Sequence, residues 1–160
     1  YLITEFIDYL KIEKDAVLLI IGDGEEKDTL TGLIRENYLS NNVFILNDII
    51  NVYPFMKKAR ALILASLWEE VGFVIVEAAF CNLFVISSDC QNGPKEFLEN
   101  GEAGYLFQSN IKNELTKKIQ DFARAEKNLK KLKIKAKKNS SNYTLFRHHL
   151  SLIKILSNEN

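Results

Sequence analysis

Apolar residues are distributed along this chain in two different patterns. Short, fully apolar runs have the length and composition of buried strands. Between them lie longer stretches whose apolar residues recur at a helical spacing. Strands that alternate with helices predict an α/β fold, in which helices cover both faces of a parallel sheet. The predicted strands are residues 16–21, 43–46, 61–64, 84–87 and 105–107, and the predicted helices include 1–11, 27–38, 52–59, 72–81 and 145–156.

Composition narrows the class of protein. With 160 residues, of which 47% are apolar and 26% charged, the chain has the size and balance of a single globular domain, 1–160. Its formal net charge of zero gives no indication of nucleic-acid binding. No apolar run reaches the roughly 18 residues of a membrane-spanning helix. Because the first residue is Tyr1 rather than Met, we expect the chain to be part of a longer protein.

One stretch, residues 66–77, combines features that suit a sugar nucleotide. It follows the predicted strand 61–64 and leads into a helix beginning near Gly72, so it borders the crevice where ligands bind in open α/β sheets. The helix N-terminus offers free N–H groups and a positive dipole end, which suit a diphosphate. Glu77 lies in the first turns, where its carboxylate can accept hydrogen bonds from hydroxyls beside that anion. Glu69 adds a second carboxylate on the loop, eight positions earlier.

The same stretch, SLWEEVGFVIVE, resembles the signature of retaining glycosyltransferases of family four, which have the two-domain GT-B architecture. The resemblance continues through residues 77–89, 92–97 and 101–107, and upstream it includes 20–25 and 51–54. It implies the donor-binding domain of an enzyme of bacterial polysaccharide or lipopolysaccharide biosynthesis. The expected fold is a Rossmann-like parallel sheet with helices on both faces, the C-terminal half of a GT-B fold. Residues 144–156 would form a C-terminal crossover helix.

The resemblance also implies roles for individual residues. Glu69 is the expected catalytic residue, facing the donor sugar near its reacting carbon. Glu77 would bind the ribose hydroxyls, and the N–H groups of residues 72–74 would contact the diphosphate. The expected donor-binding residues are Gly22, Gly24, Asn47, Asp48, Gly72, Phe73, Val74, Glu77 and Gly93.

Alternatives stay open at several of these positions. Gly22 and Gly24 follow a strand, but Lys27 occupies the place of the third glycine of a dinucleotide fingerprint. A tight turn therefore explains them as well as an approach to donor phosphates does. A turn followed by a helix start likewise explains Gly93. Glu70 stands where the family pattern has glycine, and it must face solvent if its charge is not to weaken donor binding.

The activity implied by the resemblance is retaining transfer of a hexosyl unit from a nucleotide-diphosphate-sugar, with a UDP-sugar favoured, to a glycan or lipid-linked acceptor. No metal or other cofactor is expected. An N-terminal domain outside this sequence would bind the acceptor, and an arginine and a lysine on the loop before Tyr1 would neutralise the diphosphate. The chain alone should bind a nucleotide weakly without turnover. Two other interpretations are a non-catalytic nucleotide-sugar-binding relative and a GT-B-fold sugar epimerase.

The segment 112–138 is strongly basic, with eleven Lys or Arg residues against three acids. Its apolar residues keep a helical stripe, so the lysines are expected on an outer face. That face is either simply solvated or attracted to anionic lipid, at about 1 kcal/mol for each basic residue near a charged leaflet. The expected location is cytoplasmic, and the second interpretation adds peripheral contact with the inner face of the membrane. Further along, Thr144 is the expected N-cap of helix 145–156.

Overall fold

Strands and helices alternate along the computed structural model, which describes residues 1–125 and 129–157. Within those residues the strands are β1 (Leu18–Ile21), β2 (Val43–Leu46), β3 (Ala61–Leu64), β4 (Phe84–Ser88) and β5 (Tyr105–Phe107). The helices are α1 (Leu2–Leu10), α2 (Lys27–Glu36), α3 (Tyr53–Lys58), α4 (Phe73–Phe80), α5 (Gly93–Phe97), α6 (Glu114–Ala125), α7 (Lys130–Ser140) and α8 (Leu145–Leu156). Short 3₁₀ turns cover Glu99–Gly101 and Ser141–Tyr143.

Each strand pair in the described chain is parallel. β1 pairs with β2, while β4 lies between β3 and β5 in a second sheet. In that sheet Phe84 is opposite Ala61, and Ile86 is opposite Tyr105. Parallel neighbours need a crossover connection, and a helix lies in each crossover here. The predicted α/β class with parallel strands is therefore confirmed.

Strand β4 shows how the helices cover both faces of the sheet. All of its residues are buried, and successive side chains point to opposite faces. Phe84 and Ile86 pack in a first core with residues of α1 and α6. Val85 packs in a second core with residues of α4 and α5.

Aromatic rings organise the first core. Phe84 stacks on Phe122 of α6 with ring centroids 5.1 Å apart, and it meets Tyr105 of β5 edge-on at 5.0 Å. Leu115, Ile119 and Phe122 are buried along α6. Their spacing of four and three residues puts them on one face of the helix, as the periodicity predicted.

The first core also contains a buried carboxylate. Glu5 of α1 is 2% exposed, and it accepts the N–H of Asn113 at 2.9 Å and that of Thr116 at 3.0 Å. The first N–H groups of a helix have no partner inside that helix. Glu5 therefore caps α6 from the neighbouring helix and joins α1 to α6.

Several boundaries differ from the prediction for physical reasons. Helix α2 ends at Glu36 rather than at Tyr38, whose φ of 56° is left-handed. Helix α4 begins at Phe73, because Gly72 is left-handed. The basic segment forms two helices, α6 and α7, and its residues 126–128 lie outside the described residues.

Helix α8 has the predicted bounds and the predicted cap. The hydroxyl Oγ1 of Thr144 accepts the N–H of Arg147 at 3.2 Å. None of the α8 residues is buried, and Leu145 and Phe146 are 86% and 68% exposed. The apolar residues of α8 therefore pack into neither core. Within the described residues, no helix is both long and apolar enough to cross a bilayer.

Candidate functional site

The loop after β3 carries the predicted catalytic residue. The strand ends at Leu64, and the loop leads to Gly72 at the start of α4. Within it, the hydroxyl Oγ of Ser66 donates to Oε1 of Glu69 at 2.7 Å. Glu69 is half-buried. One of its carboxylate oxygens is thus held by the loop itself.

Gly72 connects this loop to α4 in a left-handed conformation, with φ of 67° and ψ of 57°. Glycine adopts this conformation at little cost. A Cβ atom at Gly72 would lie 3.8 Å from Oε2 of Glu69. The carboxylate therefore lies beside the start of α4, where Phe73 and Val74 supply N–H groups that have no partner inside the helix. The fold brings Glu69, Gly72, Phe73 and Val74 together, and their roles in binding stay predictions.

Glu77 lies one turn into α4, at the border between core and surface. It is half-buried, whereas its neighbours Val76 and Ala78 are buried. Side chains on a helix lean toward its N-terminus, so the carboxylate is expected to lean toward the Gly72 end. This position suits the predicted contact with ribose hydroxyls, which stays a prediction.

Gly93 packs directly against the same loop. Its N–H donates to the carbonyl of Glu70 at 2.8 Å, and a Cβ at Gly93 would lie only 2.2 Å from the carbonyl oxygen of Val71. No larger residue fits without a backbone shift. The Glu70 residue itself is exposed, which meets the condition that its charge should face solvent. Gly93 thus borders the candidate site, although a close backbone approach is sufficient to explain it.

A second cluster lies at the carboxyl ends of β1 and β2. The N–H of Gly22 donates to the carbonyl of Leu46 at 3.0 Å. With its amide oriented to match its neighbours, Asn47 donates to the carbonyl of Gly22 at 2.9 Å and accepts from Nζ of Lys27 at 2.6 Å. A hydrogen bond therefore joins Gly22 to Asn47, and their roles in donor binding stay predictions. Gly22, Gly24 and Asp48 are exposed, and Asn47 is half-buried.

Lys27, which stands where a dinucleotide fingerprint has its third glycine, was not predicted as a site residue. It lies in the first turn of α2, and its Nζ is also 3.7 Å from Oδ1 of Asp23. The signal available in the sequence was a lysine four positions after an aspartate, at the start of a helix. Lys27 gives this cluster a positive charge beside the predicted donor-binding residues.

Three large apolar side chains on the Glu69 loop and at the first residue of α4 are exposed. Leu67 is 67% exposed, and Trp68 and Phe73 are each 61% exposed. Leu67 and Trp68 are neighbours in sequence, and Phe73 begins α4; we call these three residues the apolar rim. This rim was not predicted from the sequence, because the apolar pattern alone favours burial for such residues.

Two depressions in the described chain lie outside the candidate site, and neither is lined by a predicted site residue. One is lined by Asp8, Lys112, Asn113, Thr116, Lys117 and Gln120, and the other by Asn51, Tyr53, Pro54, Lys57, Phe80 and Cys81.

Comparison with known proteins adds an independent line of argument. The sequence profile of the family described as "Glycosyl transferases group 1" matches residues 2–139. The chain is 40% identical over 98 residues to an uncharacterized glycosyltransferase of Methanocaldococcus jannaschii. This match covers 61% of this chain and 24% of that protein. It is 30% identical over 129 residues to a Campylobacter jejuni enzyme, N-acetylgalactosamine-N,N'-diacetylbacillosaminyl-diphospho-undecaprenol 4-alpha-N-acetylgalactosaminyltransferase, and this match covers 81% of this chain and 35% of that enzyme. The chain thus spans between a quarter and about a third of these relatives.

The fold has a similar counterpart among solved structures. Anabaena HepE in complex with UDP-glucose superposes with a TM-score of 0.85 at 23% identity, over 97% of this chain and 44% of HepE. The likeness concerns the fold, and it confirms the expected Rossmann-like half of a two-domain architecture.

Proposed function

Because this chain belongs to the glycosyl transferases group 1 family, we propose that it is the donor-binding half of a retaining glycosyltransferase. The whole enzyme would transfer a hexosyl unit from a nucleotide-diphosphate-sugar, with a UDP-sugar favoured. The observation that carries this proposal is the position of Glu69 and Glu77 on either side of the left-handed Gly72, at the N-terminus of α4.

Each part of this arrangement has a chemical task. The N–H groups of Gly72, Phe73 and Val74, with the dipole of α4, would stabilise the diphosphate as it leaves. Glu77 would accept hydrogen bonds from the ribose hydroxyls. Glu69 would orient the sugar and favour positive charge at its anomeric carbon. The Glu69 carboxylate would need little reorientation, because Ser66 already holds one of its oxygens.

The other predicted donor-binding residues complete the proposed binding surface. We assign Gly22 and Gly24 to a backbone approach to the donor phosphates, and Asn47 and Asp48 to the edge of the base pocket. Gly93 would border the diphosphate through its packing on Val71. We further propose that transfer is independent of metal, on the strength of the family resemblance alone.

The proposed acceptor is a glycan or a lipid-linked sugar, bound by a domain outside this sequence. The name of the Campylobacter relative, which describes a diphospho-undecaprenol-linked substrate, supports a lipid-linked acceptor. The exposed apolar residues of α8 support its proposed role as a crossover helix that packs on another domain. The exposed side chains of Leu67, Trp68 and Phe73 would then face the cleft between this domain and the acceptor-binding domain.

An enzyme with a lipid-linked acceptor would work at a membrane surface. We therefore propose that this enzyme is cytoplasmic and that the basic surface of α7 makes peripheral contact with an anionic leaflet. Four lysines on α7 are exposed, Lys130, Lys131, Lys137 and Lys138, and Ile134 among them is 58% exposed. Co-sedimentation with anionic vesicles should be strong at low salt and weak at high salt. Neutral vesicles are the control, and equal binding to both would contradict the electrostatic basis.

Calorimetry and a transfer assay test the main proposal together. The chain should bind UDP, and the full-length protein should transfer sugar from a UDP-sugar to an acceptor. Full-length protein that binds the donor but never consumes it would indicate the non-catalytic relative. Conversion of donor without acceptor would indicate an epimerase. A normal rate of transfer by residues 1–160 alone would contradict the assignment of this chain as one half of the site.

A further inference from the structure

Three serines from the carboxyl ends of neighbouring strands meet at one main-chain carbonyl. The carbonyl oxygen of Ser66, after β3, accepts from Oγ of Ser88 at 2.6 Å and from Oγ of Ser109 at 3.2 Å. Ser88 is the last residue of β4, and Ser109 follows β5. A carbonyl oxygen has two lone pairs and can accept both bonds. The residue that carries the Glu69 loop is thus held from two sides.

Ser66 passes this restraint on to Glu69. Its own hydroxyl donates to Oε1 of Glu69 at 2.7 Å. The other oxygen, Oε2, lies 3.8 Å from where a Cβ atom of Gly72 would be. Glu69 lies on a loop, so no helix sets its direction. Fixing a free glutamate side chain costs rotamer entropy. A carboxylate that is already held avoids this cost when the substrate binds.

The strands do not need these hydroxyls for their own pairing. Backbone pairing already joins β3 to β4 as far as Leu64 and Ser87, and it joins β4 to β5 as far as Ser88 and Phe107. The Ser88 and Ser109 hydroxyls instead reach Ser66, beyond the last paired residue of β3. These two hydrogen bonds therefore hold the start of the Glu69 loop rather than the sheet.

We propose that Ser66, Ser88 and Ser109 are positioning residues, which together hold the Glu69 carboxylate in its working direction. The inference rests on the proposed function of Glu69. Preorganised groups stabilise a transition state without reorganising during the reaction. Loss of a serine should thus lower the rate of transfer more than it weakens donor binding.

The test compares serine variants in the full-length protein. Ser66→Ala removes the bond to a charged group and should lower kcat about 10- to 100-fold. Ser109→Ala removes a neutral bond and should lower kcat about 2- to 10-fold. In both variants the KM for the UDP-sugar should stay within about twofold of wild type. Ser109→Thr keeps the hydroxyl and should restore kcat, and the exposed Ser40→Ala is the matched control.

The outcomes separate this inference from the proposed function. Wild-type protein that neither binds nor consumes a UDP-sugar overturns the proposed function, and the inference with it. Active wild type whose Ser66→Ala and Ser109→Ala variants match Ser40→Ala overturns the inference alone. A fall in thermal stability and in donor affinity parallel to kcat would likewise assign the serines a purely structural role. Ser109 is only half-buried, so its alanine variant is the one expected to fold normally.

Discussion

Replacing the buried Glu5 by alanine should destabilise the fold measurably, although this residue lies far in sequence from the helix that it caps. Its carboxylate accepts the N–H groups of Asn113 and Thr116 and is 2% exposed. Leaving each of these donors unpaired costs about 1–3 kcal/mol. Losing a negative charge at the N-terminus of α6 adds about 0.3–1 kcal/mol.

One further contact adds little to this sum, and one effect reduces it. The hydroxyl of Thr116 loses little, because it also lies 2.8 Å from the main-chain oxygen of Glu5, which alanine retains. Removing the carboxylate also removes the cost of burying it. We therefore expect Glu5→Ala to lower the free energy of unfolding by about 2–4 kcal/mol, a large part of the total for a small domain. Glu5→Gln keeps one acceptor oxygen and should fall between wild type and alanine.

Urea denaturation followed by far-UV circular dichroism measures this difference directly. The control is Glu13→Ala, an exposed glutamate, which should change the free energy of unfolding by no more than about 0.5 kcal/mol. If Glu5→Ala destabilises the chain no more than Glu13→Ala does, the capping role assigned to Glu5 is wrong.

Four further outcomes follow from the site and its surroundings. Glu77→Ala in the full-length protein should raise the Kd for a UDP-sugar about 10- to 100-fold, and an unchanged Kd in calorimetry would refute the ribose role. Gly93→Ala should lower the free energy of unfolding, measured by urea denaturation, by at least about 2 kcal/mol, because its Cβ would meet a main-chain oxygen. The control Gly32→Ala, in α2, should be neutral or stabilising. Equal effects of the two substitutions would contradict this reasoning. A hydrogen bond from Lys135 lowers the pKa of Glu99, so this ion pair stabilises the fold above the unfolded-state pKa of a glutamate and loses its effect as the pH falls through the lowered value. Lys135→Met should therefore destabilise the chain at neutral pH and less so in acid, and equal destabilisation in both would count against the pair. EDTA should leave the rate of sugar transfer unchanged, and a loss of activity restored by Mg²⁺ or Mn²⁺ would disprove metal independence.

Much of the fold could be predicted because its information is local. The apolar runs at residues 43–46, 61–64 and 105–107 form β2, β3 and β5 with the predicted bounds. Thr144 caps α8 as its position before an apolar helical repeat predicted. The end of α2 was missed because a backbone conformation intervened, at Tyr38 with its φ of 56°. Periodicity reports which side of an element is apolar, and it carries no information on a single residue's φ.

The sequence by itself determined the alternation of parallel strands and helices, the loop that carries Glu69, and the spacing of Glu69 from Glu77. Only the tertiary structure decided that Glu5 is buried against a helix more than 100 residues away, that Gly93 packs on Val71, and that Ser88 and Ser109 meet at Ser66. The physical reason is that periodicity and capping act over a few neighbouring residues. Hydrogen bonds between distant segments form only where packing of the two cores brings their donors and acceptors together.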